Sequence, residues 1–252
     1  MSLIKMAEEI ISTKRAGNVN SSRKDMLDLM LAASDDPAVP ESKKLSDAEV
    51  LAQSFVFLAA GYETSSGTLS LTCYYIATNP DVQDKLQQEI DSVWADEEQL
   101  PTYETVNMLP YLDMVISETL RLCPPGFIIT RSCTKACVIK DIKIPKDSPI
   151  IIPVYSIHRD QSVYPDPEKY DPDRFSPEAK QSRDPYTYMP FGHGPHNCIG
   201  LRFAQMEMKL VLARMLKKFR LLVAADTKIP PDIRMKGLLG CTEINLRVVS
   251  RK

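Results

Sequence analysis

This chain of 252 residues lacks several things, and each shortage narrows what it can be. It has no excess of either charge. Its 31 basic and 33 acidic residues leave a net charge of −2, whereas a nucleic-acid-binding domain would carry a basic excess. The charges are interspersed, and no block of like sign marks a disordered tail. There is no long apolar run. The most apolar stretch, Phe55 to Ala60, falls far short of the roughly 20 residues that a bilayer span takes. The first residues, Met1-Ser2-Leu3-Ile4-Lys5-Met6, have the character of neither a signal peptide nor an anchor. Cys73, Cys123, Cys133, Cys137, Cys198 and Cys241 lack framework spacing, which argues against a disulfide scaffold and for a reducing environment. On these residues alone, the chain is expected to be soluble or at most peripheral.

What is present is ordinary globular material, 44% hydrophobic and 25% charged, enough for a sizeable core. Many of the 19 prolines cluster between Pro145 and Pro195, where the chain must turn often and cannot build long helices. Two short helical patterns, Ile4 to Ile11 and Asp25 to Ala33, precede a polar linker from Ser34 to Lys44. Ser46-Asp47-Ala48-Glu49 then reads as a capping box, and the pattern behind it stays helical until Asn79-Pro80. Such a helix has about 33 residues and runs roughly 50 Å. It is apolar on most faces around Phe55-Val56-Phe57-Leu58, so most of it is expected to be buried.

Val82, Leu86, Ile90 and Val93 give the next helix its apolar face, and a polar loop is expected from Asp96 to Thr102. Leu112 to Leu122 is helical again and stops at Pro124-Pro125. Short strands are expected between Ala136 and Tyr155, mostly loop from 160 to 197, a helix from Leu201 to Phe219, and an edge strand near Ile244 to Val248. The predicted class is mainly α with small β-sheets confined to the second half.

The stretch Phe191-Gly192-His193-Gly194-Pro195-His196-Asn197-Cys198-Ile199-Gly200 carries the most distinctive chemistry. Its glycines allow tight turning and close approach to a flat ligand. Cys198 stands just before a helix, where backbone amides and the helix dipole favour a thiolate. A Cys-x5-Arg phosphatase loop is excluded, because the sixth residue after Cys198 is Ala204. A zinc site could draw on His193, His196 and Cys198, but no evident fourth ligand accompanies them. A Gly-rich turn with a buried, inert cysteine is the remaining reading.

This stretch resembles the signature of the haem-thiolate monooxygenases, the cytochromes P450: Phe-x-x-Gly-x-basic-x-Cys-x-Gly, here Phe191, Gly194, His196, Cys198 and Gly200. Three further motifs of that family occur in order: Ala60-Gly61-Tyr62-Glu63-Thr64, Glu118-Thr119-Leu120-Arg121 and Pro172-Asp173-Arg174-Phe175. Around Leu109 to Val115 and Phe191 to Phe203 the chain most resembles the branch holding vertebrate drug- and steroid-oxidising enzymes and thromboxane synthase. The resemblance implies the C-terminal half of a helical prism, with residues 1–252 forming part of one haem-thiolate domain.

It further implies a cofactor, haem b (iron protoporphyrin IX), with Cys198 as the iron ligand. Phe191, Gly192, Gly200, Ala204 and Ala60 would line the haem, and Arg131 and His196 would face its propionates, His196 standing where the family usually has arginine. Thr64 would be the hydroxyl that hydrogen-bonds dioxygen, with Glu63 in the proton relay, on a stretch where the family's long helix bulges. Glu118, Arg121 and Arg174 would form a structural triad. Phe57, Ala60, Thr64, Ile128 to Thr130 and Leu238-Leu239 are candidate pocket residues.

The implied reaction inserts one atom of O2 into a C–H bond of a small lipophilic substrate. Electrons would come from an NADPH-dependent flavoprotein reductase, with cytochrome b5 as a second donor, at the cytosolic face of the endoplasmic reticulum membrane. Lys209, Lys217, Lys218 and Arg220 are the candidate docking patch. A catalytically silent relative that only binds, and a small zinc module, are the competing classes.

Overall fold

A computed structural model of the chain describes residues 3–16, 24–94 and 101–251, so most of the loop expected from Asp96 to Thr102 lies outside the described residues. Two compact units divide at Glu63 and Thr64. In the first, α1 (Leu3–Arg15), α2 (Met26–Asp35) and the start of α3 (Asp47–Thr78) meet around Ile11, Leu31 and Val50. Each helix start is specified locally. Asp25 and Asp28 cap α2 reciprocally, and at α3 the Ser46 amide donates to Glu49 Oε2 at 2.8 Å while the Glu49 amide donates to Ser46 Oγ at 3.3 Å.

Within α3 the expectation of burial fails over its first half. Phe55, Val56 and Leu58 are exposed, and Tyr62 is 77% exposed, whereas Leu71, Tyr74, Ile76 and Ala77 are buried. Apolar composition on several faces states a need for cover; which face receives it depends on what packs there. The bulge expected at Ala60 to Thr64 is also absent, since α3 continues as regular α-helix through it.

The second unit builds its core from the end of α3, α4 (Pro80–Val93), α5 (Tyr103–Asn107), α6 (Pro110–Leu122) and an 18-residue helix near the C-terminus. Leu86, Ile90, Leu112, Val115, Leu212 and Leu216 are among the buried side chains. Glu89 of α4 accepts from the amides of Tyr111 (2.6 Å) and Leu112 (2.9 Å), placing an anion on the open N-terminus of α6.

All sheets are two-stranded and antiparallel. β1 (Ile129–Ser132) pairs with β4 (Pro149–Ile152), and β2 (Cys137–Ile139) pairs with β3 (Ile142–Ile144). After the short α7 (Val154–Ile157) and α8 (Pro177–Gln181), the chain runs mostly as loop to α9 (Leu201–Lys218). β5 (Phe219–Val223) pairs with β8 (Leu246–Ser250), and β6 (Ile233–Lys236) with β7 (Leu238–Cys241). The result is mainly helical with small sheets. Among the described residues, no helix is long and apolar enough to cross a membrane.

Candidate haem-thiolate site

The loop ahead of α9 is closed on itself by its own backbone. The Cys198 amide donates to the Phe191 carbonyl at 2.8 Å, Gly192 N–H to Met189 O at 3.0 Å, and Asn197 N–H to Gly194 O at 3.1 Å. Gly192 and Gly194 have φ of 76° and 83°, a left-handed conformation that a side chain would strain. Gly200 caps α9, and a methyl group added there would lie 3.9 Å from Cys198 Sγ, an ordinary contact rather than a clash.

Cys198 itself is exposed, so the reading of a buried core cysteine does not hold. Beside it, Ile199 is 88% and Phe203 71% exposed. Phe191, Gly192 and Ala204 are half-buried, and Ala204 N–H bonds the Gly200 carbonyl at 2.8 Å. Large apolar side chains left open next to an open thiol make a surface suited to an apolar ligand.

From β1, Arg131 reaches this loop. Its Nη2 donates to the His196 carbonyl at 3.3 Å and its Nη1 to the Thr130 carbonyl at 2.9 Å. On the same flank a cleft of about 340 Å³ is lined by Ile129, Arg131, Ile152, Tyr186, Met189, His193 and Gly194. The Tyr186 and His193 rings meet edge to face, 4.5 Å apart.

Behind the loop lies a buried charge network. Glu118 and Arg121 are both fully buried, with Arg121 Nε 2.6 Å and Nη2 2.8 Å from the two carboxylate oxygens. A third donor, the Asp171 amide, reaches Glu118 Oε1 at 2.9 Å. Arg174 Nε lies 3.6 Å from the same oxygen, buried and without a hydrogen-bond partner, while its Nη2 bonds the Asp166 carbonyl. Burial pushes the Glu118 carboxyl above its ordinary range, and the Arg121 and Arg174 guanidiniums with the Asp171 amide pull it back.

Sequence reasoning passed over His158. It is fully buried, its Nδ1 lies 3.1 Å from the Arg121 carbonyl, and its Nε2 accepts the Met189 amide at 2.9 Å. Nε2 as acceptor places the ring proton on Nδ1, so the imidazole ties α6 to the residue from which the cysteine loop springs. The only local hint was the run Val154-Tyr155-Ser156-Ile157 just before it.

Several other expectations fare differently. Thr64 is half-buried and its carbonyl accepts the Thr68 hydroxyl at 2.8 Å; Ala60 and Glu63 are exposed. Leu239 is buried, with its amide on the Pro125 carbonyl at 2.9 Å. The cationic patch is largely spent within the protein. Lys209 pairs with Asp113 at 2.9 Å, Lys217 with Asp91 at 3.0 Å and Arg220 with Asp84. Basic side chains on α9 and β5 face acids from α4 and α6, a pairing invisible in linear spacing. Among the described residues no group of three or more His, Cys, Asp or Glu is placed to hold a metal ion.

The donor set fits haem. It offers one open thiol, an apolar surface beside that thiol, and a guanidinium on the loop's edge for a carboxylate.

The cytochrome P450 family description matches residues 1–248. The chain is 45% identical to Cytochrome P450 3A41 of Mus musculus over 253 aligned positions, covering 98% of this chain and 50% of that protein. It is 47% identical to Cytochrome P450 3A1 of Rattus norvegicus over 239, covering 94% and 47%. With Cytochrome P450 3A5 of Homo sapiens the figure is 46% over 238, again 94% and 47%. This chain belongs to the cytochrome P450 family. Within it, the chain falls in the 3A branch and spans about half the length of the curated relatives it matches.

Proposed function

We propose that residues 1–252 form the haem-ligating part of a larger haem-thiolate domain, acting as a monooxygenase on small lipophilic substrates of steroid, xenobiotic or fatty-acid type. The observation that carries this reading is the exposed Cys198 on a backbone-closed loop at the start of α9, beside the open apolar side chains Ile199 and Phe203.

Cys198 would ligate the iron through its sulfur. Arg131, steadied on the His196 carbonyl, offers forked donors to a propionate, and His196 adds a second polar group on that edge. Gly192 and Gly200 would let the loop backbone approach the ring, and Phe191 and Ala204 would give it apolar contact. When bound, haem supplies the activation of dioxygen and its insertion into a C–H bond, chemistry that no side chain performs.

The chain's own part is to hold the group and to move protons. Thr64 presents a hydroxyl on α3 beside the exposed carboxylate of Glu63, and this reading gives the pair the proton path. Glu118, Arg121 and Arg174 act as scaffold behind the loop. Electrons come from an NADPH-dependent flavoprotein reductase, with cytochrome b5 as a second donor, at the cytosolic face of the endoplasmic reticulum membrane.

The test is the absorption spectrum of the haem-loaded protein, reduced and exposed to carbon monoxide. A strongly red-shifted Soret band is expected, and Cys198→Ala should abolish it. A red-shifted band that survives in Cys198→Ala would assign the ligand elsewhere.

A further inference from the structure

Away from the cysteine loop, the fold brings two other thiols together. Cys133 Sγ and Cys137 Sγ lie 3.9 Å apart at the surface, both as free thiols, with Cys137 exposed and Cys133 half-buried. We propose that Cys133 and Cys137 form a redox-modifiable dithiol, which glutathione disulfide closes into a protein disulfide.

Their proximity is imposed by the backbone on either side. Cys133 immediately follows β1 and is pinned twice: its amide donates to the Ser148 carbonyl at 3.0 Å, and its carbonyl accepts the Asp147 amide at 2.7 Å. Cys137 opens β2 and pairs in register with Ile144. Only Thr134, Lys135 and Ala136 separate the two, so both ends of a tight loop are fixed. A disulfide needs its sulfurs about 2 Å apart, and thiols already in contact at the surface can close that gap by side-chain rotation.

The other thiols differ. Cys73 and Cys123 are pushed up to about 11 by burial, so they stay protonated and unreactive. The Cys137 thiol is held above its ordinary range by its hydrogen bond to Cys133.

The exchange balances. One protein thiolate attacks a sulfur of glutathione disulfide, forming a mixed disulfide and releasing one glutathione thiolate. The second protein sulfur then attacks the mixed disulfide and releases the other. The protein loses two electrons and two protons, and two molecules of reduced glutathione carry them away.

Trypsin provides a direct readout, because it cuts after Arg131, Lys135 and Lys140. The full chain is equilibrated with glutathione disulfide, its free thiols are alkylated, and the unreduced digest is analysed by mass. The expected product is Ser132–Lys135 covalently joined to Ala136–Lys140, separating again after dithiothreitol. In Cys137→Ser, a glutathione adduct should persist on Cys133. Separate glutathione adducts on the two peptides with no joined pair, or either peptide joined to one containing Cys198, would overturn the proposal. Cys198→Ser should leave the joined pair intact, which separates this site from the haem-ligand thiol.

Discussion

Arg121 and His158 hold each other from both ends: the guanidinium Nη1 donates to the His158 carbonyl at 2.9 Å, and the imidazole Nδ1 meets the Arg121 carbonyl at 3.1 Å. The free edge of the imidazole then accepts the Met189 amide, and Met189 in turn accepts the Gly192 amide. Helix α6 and the root of the cysteine loop are thereby one hydrogen-bonded unit.

This gives the protein an acid-sensitive element. Burial holds the His158 pKa down to about 4 from an ordinary 6.5, so the unfolded chain takes up this proton at higher pH than the folded one. The contribution to stability is complete above about 6.5, falls as pH drops toward 4, and levels off below that, a total of about 3 kcal/mol. Urea unfolding at a series of pH values should show this slope, and His158→Gln should lack that part of it. Equal slopes in the two proteins would show that His158 is not the group concerned.

The Glu118 network predicts an unequal pair of mutations. Glu118→Gln leaves two guanidiniums facing a lost charge and should cost about 3–5 kcal/mol in chemical denaturation. Arg174→Ala should cost distinctly less, because Arg174 Nε stands 3.6 Å from the carboxylate without a hydrogen bond, whereas Arg121 is bidentate. Equal losses would mean that Arg174, despite its longer approach, is as important to the network as the carboxylate itself.

Gln83 is a third point of leverage. Fully buried on α4, it accepts the Leu221 amide at 2.8 Å and donates to the Leu221 carbonyl at 2.9 Å, tying β5 to the helical core. Gln83→Leu fills similar volume but strands both backbone groups, and should cost about 1–3 kcal/mol. Hydrogen exchange at the Leu221 amide should accelerate in parallel.

For the proposed chemistry, Thr64 is the informative residue. Thr64→Ala in the haem-loaded enzyme with its reductase should keep the reduced carbon monoxide spectrum while raising peroxide released per NADPH consumed. Thr64→Ser should restore coupling, because it returns the hydroxyl. Unchanged coupling in Thr64→Ala would take Thr64 out of the proton path.

Legibility divides along the reach of the forces involved. The start of α3 was readable because Ser46 and Glu49 satisfy each other within one turn, and its end because Pro80 opens a new helix after Asn79. The core face of α4 was readable because Val82, Leu86 and Ile90 recur at helical spacing. The order of motifs around Cys198 likewise lies in linear spacing.

None of that spacing says which neighbour arrives from far along the chain. Lys217 looked like surface charge and is instead buried against Asp91 and the Trp94 carbonyl. His158 looked unremarkable and anchors the loop from 31 residues away. Phe55 and Leu58 looked like core and are open. Local backbone bonds and helical periodicity are written within a few residues, so composition and order suffice to read them. The burial of a charge or an apolar ring depends on the partner that packs across from it, and that partner exists only once distant segments have come together.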